Sequence, residues 1–162
     1  MSVSVLALAG GIGGAKLALG LTRVLSPQQL TIVVNTGDDE TFHGLHVSPD
    51  LDTMMYTLSG LVNGETGWGL VGDQFNAMDM LGRYGSPTWF NLGDKDLGTH
   101  IRRTELLRDG WTLSQITEDL SRRIGLRPRV VPMSDQTVKT MVETDEGNLP
   151  FQVYFVERRC EP

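Results

Sequence analysis

The sequence predicts an α/β protein with a Rossmann-like, three-layer arrangement around a mostly parallel sheet. Three observations favour this class: a glycine-rich segment between an apolar run and a helical pattern, a second continuously apolar run, and further amphipathic helical patterns downstream. Strands that are apolar on both faces are typical of parallel sheets covered on each side. With 162 residues and 21% charged side chains, the composition indicates a single globular α/β domain over residues 1–162.

The chain opens with a strand, a helix and a second strand. Residues 3–8 predict a strand, residues 10–14 a loop and residues 15–25 a helix with one apolar stripe. Pro27 ends this helix, and residues 30–34 predict a second, buried strand. This order is that of a βαβ unit with two parallel strands.

Four further helices and three further strands are predicted. The helical patterns cover residues 52–61, 75–84, 99–107 and 113–124. The last one follows Thr112, which forms a capping box with Gln115. Residues 129–131 predict a strand, and residues 138–144 and 151–156 predict a hairpin that turns at 145–148.

Composition excludes several classes of function. A net charge of −6 argues against a general nucleic-acid binder, which needs a basic face to displace counterions. Cys160 is the only cysteine, which excludes an internal disulfide and a cysteine-rich zinc site and favours a reducing, cytoplasmic setting. The apolar amino-terminal segment is too short to span a membrane and has no basic residues ahead of it, so we expect no membrane partner.

The glycine-rich segment predicts a phosphate site. Its free backbone N–H groups, at a helix start and without side chains in the way, favour a bound phosphate. Lys16 is expected in the first helical turn, where it would add a charge-assisted contact. The pattern matches neither the Walker sequence nor a complete dinucleotide fingerprint, and a structural tight turn is the alternative. The glycines expected to bind are Gly10, Gly11, Gly13 and Gly14.

Four acidic residues follow the second strand closely and predict a metal site. They are Asp38, Asp39, Asp50 and Asp52. Carboxylates at this density repel one another unless a cation or a donor-rich ligand lies among them, and Mg²⁺ usually takes one or two carboxylates with phosphate oxygens. Loops at the carboxyl ends of parallel strands line one crevice, so this cluster and the glycines should face the same cleft. Two ordinary polar turns are the alternative.

A third polar concentration covers residues 92–97 and is followed by His100. A solvated loop before an ordinary helix is the simpler interpretation. Aromatic residues interspersed with glycines flank this region, and they predict either core packing or a flat slot for a ring system. These aromatic residues are Trp68, Phe75, Trp89 and Phe90.

Taken together and in order, these motifs resemble the 2-phospho-L-lactate transferase (CofD-like) family over essentially the whole chain. Each motif alone is weak, whereas the combination is specific. The motifs are Gly10-Gly11-Ile12-Gly13-Gly14-Ala15-Lys16, Asn35-Thr36-Gly37-Asp38-Asp39, Ser48-Pro49-Asp50-Leu51-Asp52-Thr53, Trp68-Gly69, Leu92-Gly93-Asp94-Lys95-Asp96, Thr99-His100, Arg103-Thr104, Pro132-Met133-Ser134-Asp135 and Phe151-Gln152.

The resemblance implies a transferase that acts in making the deazaflavin coenzyme F(420). Such enzymes move a phosphorylated three-carbon acid from a GDP-activated donor to the ribityl hydroxyl of the deazaflavin Fo, release GMP and use Mg²⁺. The acid differs among relatives and is phospholactate, phosphoenolpyruvate or phosphoglycerate. The partners expected for this chain are therefore Fo and the GDP-activated acid.

The resemblance also implies roles for individual residues. The glycine-rich segment would hold donor phosphates, and we expect Asn35 and Thr36 to contribute to the same ligand site. Asp50 and Asp52 occupy positions where metal and Fo contacts are made, and Asp50 is the first choice for accepting the hydroxyl proton. Lys95 takes the position of a basic Fo-contacting residue, and a further ligand contact is expected at Asp94.

Members of this family normally continue beyond residue 162. The resemblance therefore implies that the chain is the amino-terminal part of a longer architecture, with a sheet incomplete at the carboxy end. An unclosed sheet edge invites pairing, so a homodimer is possible.

Two other functions stay open. One is a non-catalytic nucleotide- or deazaflavin-binding fragment, and the other is a related nucleotide-linked transferase. A dehydrogenase is disfavoured because no acidic residue closes the second strand to bind a ribose.

Overall fold

The computed structural model describes residues 3–161 and contains the predicted βαβ unit. Strand β1 (Val5–Ala9) leads into helix α1 (Gly11–Thr22), and strand β2 (Leu30–Val34) follows. The two strands pair in parallel along their whole length, from Val5 opposite Leu30 to Ala9 opposite Val34. The predicted bounds of the second strand are confirmed.

A hairpin that was not predicted follows β2. Strands β3 (Glu40–Phe42) and β4 (Leu45–Val47) are antiparallel and only three residues long. Their turn consists of His43 and Gly44, which both have positive φ angles (52° and 77°), as two-residue hairpin turns require. Such short strands give too little alternation to detect from sequence. The hairpin delivers the chain to helix α2 (Pro49–Ser59).

All the predicted helices are present. Besides α2, they are α3 (Asn76–Arg83), α4 (Asp94–Arg108) and α5 (Leu113–Arg123). The capping box is confirmed, since the N–H of Gln115 donates to Thr112 Oγ1 at 3.2 Å and the N–H of Thr112 donates to Gln115 Oε1 at 2.9 Å. Within residues 3–161, no helix combines the length and apolar character needed to cross a membrane.

Helix α4 begins five residues before the predicted start because capping groups reach it from elsewhere in the chain. Asp73 Oδ1 accepts the N–H of Lys95 at 2.8 Å, at the start of α4. In return, Asp94 Oδ1 accepts the N–H of Ala77 at 3.0 Å, at the start of α3. Each aspartate thus caps the other's helix, which fixes the two helix starts side by side. A Cβ at Gly93 would lie 2.1 Å from Asp73 Oδ2, so this close approach requires glycine.

Strand β5 (Arg129–Pro132) pairs in parallel with β2 and gives a sheet of order β1-β2-β5. The helices cover the face that carries Ala7, Ile32 and Val130, which belong to the main hydrophobic core. On the opposite face of β1, Leu6 and Leu8 are 64% and 75% exposed. The parallel sheet is therefore confirmed, and within residues 3–161 helices pack against one side of it.

The predicted strand at residues 151–156 is wrong. A hairpin exists, but its strands are β6 (Met141–Thr144) and β7 (Gly147–Pro150), so the turn is shorter than predicted. The chain then forms helical turns, with a π-helical segment at Val153–Glu157. Phe151 and Phe155 are four residues apart, and their rings stack with centroids 5.3 Å apart. This four-residue spacing is compatible with helical turns, and the apolar run of the same segment also suits a strand.

Candidate functional site

A cavity of about 620 Å³ lies where the segments after β1 and β2 meet the start of α2. Its position at the carboxyl ends of parallel strands is the one expected for the ligand site of an open α/β sheet. Among other side chains, the wall contains carboxylates and aromatic rings. The carboxylates are Asp38, Asp50, Asp52 and Asp96, and the phenylalanine, tyrosine and tryptophan rings are Tyr56, Trp68, Trp89, Phe90, Phe151 and Phe155.

The glycine-rich segment is the first turn of α1, so the predicted loop at 10–14 is wrong. Gly10 is the N-cap in extended conformation, and Gly11 has a φ of 57°. The N–H of Gly14 already donates to the Gly10 carbonyl at 3.2 Å. A Cβ at Gly14 would lie 3.0 Å from Ala9 Cβ, so glycine lets α1 approach β1 closely. Of the four predicted glycines, Gly11 lines the cavity.

Lys16 does not reach this site. Because α1 starts at Gly11 rather than at residue 15, Lys16 falls in the second turn. Its side chain is exposed and does not line the cavity. The predicted phosphate contact from this lysine is therefore not present in the described geometry.

Asp50 occupies the position in front of α1 where an anion was predicted. A Cβ at Gly10 would lie 2.8 Å from Asp50 Oδ2, which shows how closely the carboxylate approaches the helix start. Asn35 Nδ2 donates to Asp50 Oδ2 at 3.0 Å. Burial raises the pKa of Asp50 and outweighs the hydrogen bonds from Asn35 and from the N–H of Gly11.

Asp38 shares this environment. The same Asn35 Nδ2 atom donates to Asp38 Oδ2 at 3.1 Å. Burial and the neighbouring charge of Asp50 raise the pKa of Asp38. Within residues 3–161, neither carboxylate has an ion-pair partner. Two partly buried carboxylates around one amide therefore form a place where a cation would relieve repulsion.

Asp39 and Thr36 lie on the other side of the same loop. Asp39 Oδ2 accepts a hydrogen bond from Ser48 Oγ at 2.7 Å and lies 3.1 Å from His46 Nε2. Both residues line a smaller cavity of about 160 Å³, away from the main one. The predicted roles of Asp39 in metal binding and of Thr36 in ligand binding are not supported by this placement.

Asp52 is held in the interior by an ion pair. Both of its carboxylate oxygens accept hydrogen bonds from Arg103 of α4, one from Nη1 at 3.1 Å and the other from Nη2. Arg103 is 1% exposed. A carboxylate whose two oxygens face one guanidinium is not free to bind Mg²⁺ as predicted. The predicted set of four metal ligands is therefore split among three environments.

The fourth carboxylate of the cavity, Asp96, is paired with His100. His100 Nε2 lies 3.2 Å from Asp96 Oδ2, and the Tyr56 hydroxyl donates to Asp96 Oδ1 at 2.6 Å. Burial raises the pKa of Asp96, but the hydrogen bond and charge of His100 outweigh it and hold the pKa below its usual range. Burial and the charges of Asp52 and Asp96 raise the pKa of Tyr56.

Asp52, Asp96 and His100 form a group of three side chains of the kind that can bind metals. Their ligand atoms all lie within 4.8 Å of one another. This group does not fit a metal ion. The imidazole lies between the two carboxylates, with Nδ1 3.6 Å from Asp52 Oδ2 and Nε2 facing Asp96. Arg103 already neutralises Asp52. The pair Asp38 and Asp50 fits better, because its oxygens have no cationic partner in the described chain.

Asp94 and Lys95 lie outside the cavity. Asp94 caps α3, as described above, and hydrogen bonds from Ala77 and Asn76 lower its pKa. Lys95 Nζ donates to the carbonyl of Val71 at 2.8 Å. These two residues therefore do not line the cavity, and their ligand contacts stay predictions.

The aromatic slot is present with a changed membership. Trp68, Trp89 and Phe90 line the cavity, whereas Phe75 does not. Phe90 stacks on Phe42 with ring centroids 4.0 Å apart, and Trp89 meets Phe42 edge to face at 5.2 Å. These contacts fix the two cavity rings from behind.

Phe151 and Phe155, which also line the cavity, were missed because their segment was interpreted as a strand. The four-residue spacing of the two rings is the signal that indicates helical turns. Between them, Gln152 Nε2 donates to the carbonyl of Asp38 at 3.2 Å. This bond ties the carboxy-terminal segment to the loop that carries the carboxylates.

The fold and the cavity define an α/β protein whose site joins acidic and aromatic side chains at the carboxyl edge of a parallel sheet. A family model described as "2-phospho-L-lactate transferase CofD" matches residues 5–161. The chain belongs to this transferase family, and the resemblance inferred from its motifs is confirmed.

The curated relatives that match this chain are about twice as long as the region that matches. A phosphoenolpyruvate transferase of Streptomyces griseus is 46% identical over 161 residues, which is 96% of this chain and 51% of that protein. A 2-phospho-L-lactate transferase of Methanospirillum hungatei is 40% identical over 152 residues, or 94% of this chain and 51% of that protein. The chain spans about half the length of the curated relatives it matches.

A solved structure supports the fold class. The crystal structure of a UPF0052-family protein from Bacillus halodurans aligns with 93% of this chain and 46% of that one, with a TM-score of 0.53. The identity is 16%, so the similarity concerns the fold alone.

Proposed function

We propose that this chain carries the acceptor and metal sites of a transferase. The reaction moves a phosphorylated three-carbon acid from a GDP-activated donor to the ribityl hydroxyl of the deazaflavin Fo and releases GMP. The observation that carries the proposal is the single cavity of about 620 Å³ that joins the Asp38–Asp50 pair to a set of aromatic rings. The donor, the acceptor, the reducing cytoplasmic setting and a homodimeric state are all part of this proposal.

The aromatic part of the cavity suits a planar heterocycle. Trp68, Trp89 and Phe90 line one region, and Phe151 and Phe155 extend the ring surface from the carboxy-terminal segment. Flat rings bind heterocycles by stacking and exclude water from the reacting atoms. A deazaflavin has the size and planarity that such a wall accommodates.

The acidic part of the cavity suits Mg²⁺. Asp38 and Asp50 offer hard oxygen ligands, their pKa values are raised, and in residues 3–161 no lysine or arginine lines the cavity. A phosphorylated donor would meet net negative charge there, so its binding requires a cation. Asp38 would hold Mg²⁺, which when bound would neutralise the donor phosphates.

The residues of the chain then supply positioning and proton acceptance. The ribityl oxygen attacks the phosphorus that carries the acid, a new O–P bond forms, and the bond to the bridging oxygen breaks so that GMP leaves. Asp50 accepts the hydroxyl proton, and its raised pKa makes it a better base than an ordinary aspartate. Asn35 fixes the orientation of Asp50 through the 3.0 Å hydrogen bond.

A second candidate function is binding without turnover. It is favoured by the lining of the cavity, which within residues 3–161 contains no lysine or arginine that could neutralise the phosphates of a donor. In that case the cavity would bind Fo or a nucleotide, and no product would form.

A transfer assay tests the proposal. The chain would be incubated with Fo, Mg²⁺ and each GDP-activated three-carbon acid in turn, and both products would be detected by mass spectrometry. Phosphorylated Fo product together with GMP supports the enzyme, and Asp50→Asn should abolish both. Fo binding without product supports the second candidate. If the chain neither binds Fo nor forms product, both candidate functions are contradicted.

A further inference from the structure

The carboxylate of Asp96 faces the cavity, and the reaction described above gives it no role. Its side chain is 15% exposed and lines the cavity. Tyr56 donates to Oδ1 at 2.6 Å and His100 Nε2 lies 3.2 Å from Oδ2, so each oxygen is fixed from one side. A carboxylate oxygen can accept two hydrogen bonds, so both atoms keep capacity for a ligand.

The orientation of the His100 ring is set by its other neighbours. Arg103 Nη1 lies 3.4 Å from His100 Nδ1, and Asp52 Oδ2 lies 3.6 Å from the same ring nitrogen. The opposite ring nitrogen, Nε2, therefore faces Asp96. Asp96, His100 and Arg103 follow one another at helical spacing along α4, so this orientation is built into one face of the helix.

The surroundings of this carboxylate favour its ionised form. Its pKa is lowered because the bond and charge of His100 outweigh burial. Arg103 and His100 lie behind it, which disfavours a metal ion at this point. A phosphate would be repelled by the negative charge. The group that suits an ionised acceptor among aromatic walls is a neutral donor, an alcohol hydroxyl.

We propose that Asp96 is a specificity-determining residue that accepts a hydrogen bond from a hydroxyl group on the polyhydroxylated chain of the ring-bearing ligand. His100 and Tyr56 act as positioning residues for this carboxylate. The proposal rests on the proposed function, in which the ligand ring is a deazaflavin and its chain is ribityl. The site would distinguish ring ligands that carry a hydroxylated chain from ring ligands that do not.

The test compares two ligands on the same chain. Fo and an analogue with a methyl group in place of the ribityl chain are titrated by fluorescence. The wild-type chain should bind Fo roughly tenfold or more tightly than the analogue, as expected for a hydrogen bond to a charged acceptor. In Asp96→Ala the ratio should fall toward one while the affinity for the analogue is unchanged. Asp79→Ala, an exposed aspartate of α3 away from the cavity, serves as the matched control and should keep the ratio.

A conservative variant and a spectroscopic readout cover the case in which Asp96→Ala does not fold. Asp96→Asn keeps the shape, removes the charge and should reduce the ratio several-fold. In the wild-type chain with ¹⁵N-labelled histidine, Fo should shift the Nε2 signal of His100, and the methyl analogue should not.

Three results would overturn the proposal. Folded Asp96 variants could keep the wild-type ratio of the affinities for Fo and the methyl analogue, or they could lose affinity for both ligands equally. The third result is a wild-type chain that binds both ligands with equal affinity. The last result leaves the proposed function intact, since the ring still binds. If the wild-type chain binds neither ligand, the proposed function and this inference fail together.

Discussion

Asn35 donates a 3.0 Å hydrogen bond to Asp50 and thereby joins the end of β2 to the start of α2. The same amide nitrogen reaches Asp38 at 3.1 Å. One neutral side chain thus holds two carboxylates that would otherwise repel each other. Burial raises the pKa of both carboxylates against the hydrogen bonds from Asn35, and a cation should bind there because the described chain gives neither of them a cationic partner.

Replacing Asn35 should weaken both the fold and the metal site. Asn35→Ala removes the donor from two partly buried carboxylates, and an unsatisfied buried group costs about 1–3 kcal/mol. We expect the free energy of unfolding in urea to fall by that amount, and the loss should shrink when Mg²⁺ is added. A variant as stable as the wild-type chain without Mg²⁺ would show that the amide bridge contributes little.

The affinity for GDP should depend on Mg²⁺, and replacing Asp38 should change it in opposite directions with and without the metal. No lysine or arginine of residues 3–161 lines the cavity, so GDP should bind weakly without the metal. Asp38→Asn removes a negative charge and should strengthen metal-free GDP binding, while it weakens binding in the presence of Mg²⁺. Isothermal titration with and without Mg²⁺ measures both. The same direction of change in both conditions would contradict the assignment of Asp38.

The contribution of Asp50 to the stability of the metal-free chain should fall as the pH rises above the ordinary aspartate range. Burial raises the pKa of Asp50 in the folded state, so the folded state binds its proton more tightly than the unfolded state does. The part of the free energy of unfolding that comes from this group should therefore fall as the pH rises from 3.8 through its raised pKa.

Asp50→Asn should remove this contribution. The difference in urea unfolding between variant and wild type, measured from pH 4 to pH 7, isolates it from the opposite contributions of Asp96 and Glu40, whose pKa values are lowered. A difference that does not change with pH would mean that Asp50 has an ordinary pKa.

The Asp52–Arg103 pair should act as a structural connection between α2 and α4. Removing one partner of a buried ion pair leaves an uncompensated charge, which costs roughly 3–5 kcal/mol. Arg103→Met should therefore destabilise strongly in urea, and the double variant Arg103→Met with Asp52→Leu should recover a large part of the loss. A double variant that loses the sum of the free energies lost by Arg103→Met and by Asp52→Leu alone would show that the two side chains are not coupled.

The carboxy-terminal rings should contribute to binding more than to stability. Phe155 is 55% exposed and stacks on Phe151 at the cavity wall. Phe155→Ala should lower Fo affinity severalfold and change the free energy of unfolding by less than about 1 kcal/mol. Val24→Ala is a suitable control, since Val24 is 77% exposed and lies outside the cavity. Unchanged Fo affinity in Phe155→Ala would exclude this ring from the site.

Local patterns explain which parts of the fold the sequence predicts. Strand β2 and the Thr112–Gln115 capping box depend on residues that are close together in the chain, and both are confirmed. The start of α4 was placed five residues late, because Asp73 caps it from 22 positions away. Periodicity within the helix contains no signal for such a cap.

In the site, too, contacts between residues that are far apart in the chain could not be predicted from local patterns. The cleft shared by Asp50 and the start of α1 follows from the rule that parallel strands end at one edge, and the structure places them together. Asp52 looked equivalent to Asp50 in sequence, yet its partner Arg103 lies 51 positions away and occupies both oxygens. Spacing alone does not distinguish a free carboxylate from a paired one.

A fluorescence titration of Fo with this chain, with and without GDP and Mg²⁺ and beside Asp50→Asn, is the most direct test of the deazaflavin site. We expect saturable Fo binding that is strengthened by GDP and Mg²⁺ together, and loss of that strengthening in Asp50→Asn. A chain that is folded by circular dichroism and binds no Fo under any of these conditions would contradict the claim that this cavity is the deazaflavin site.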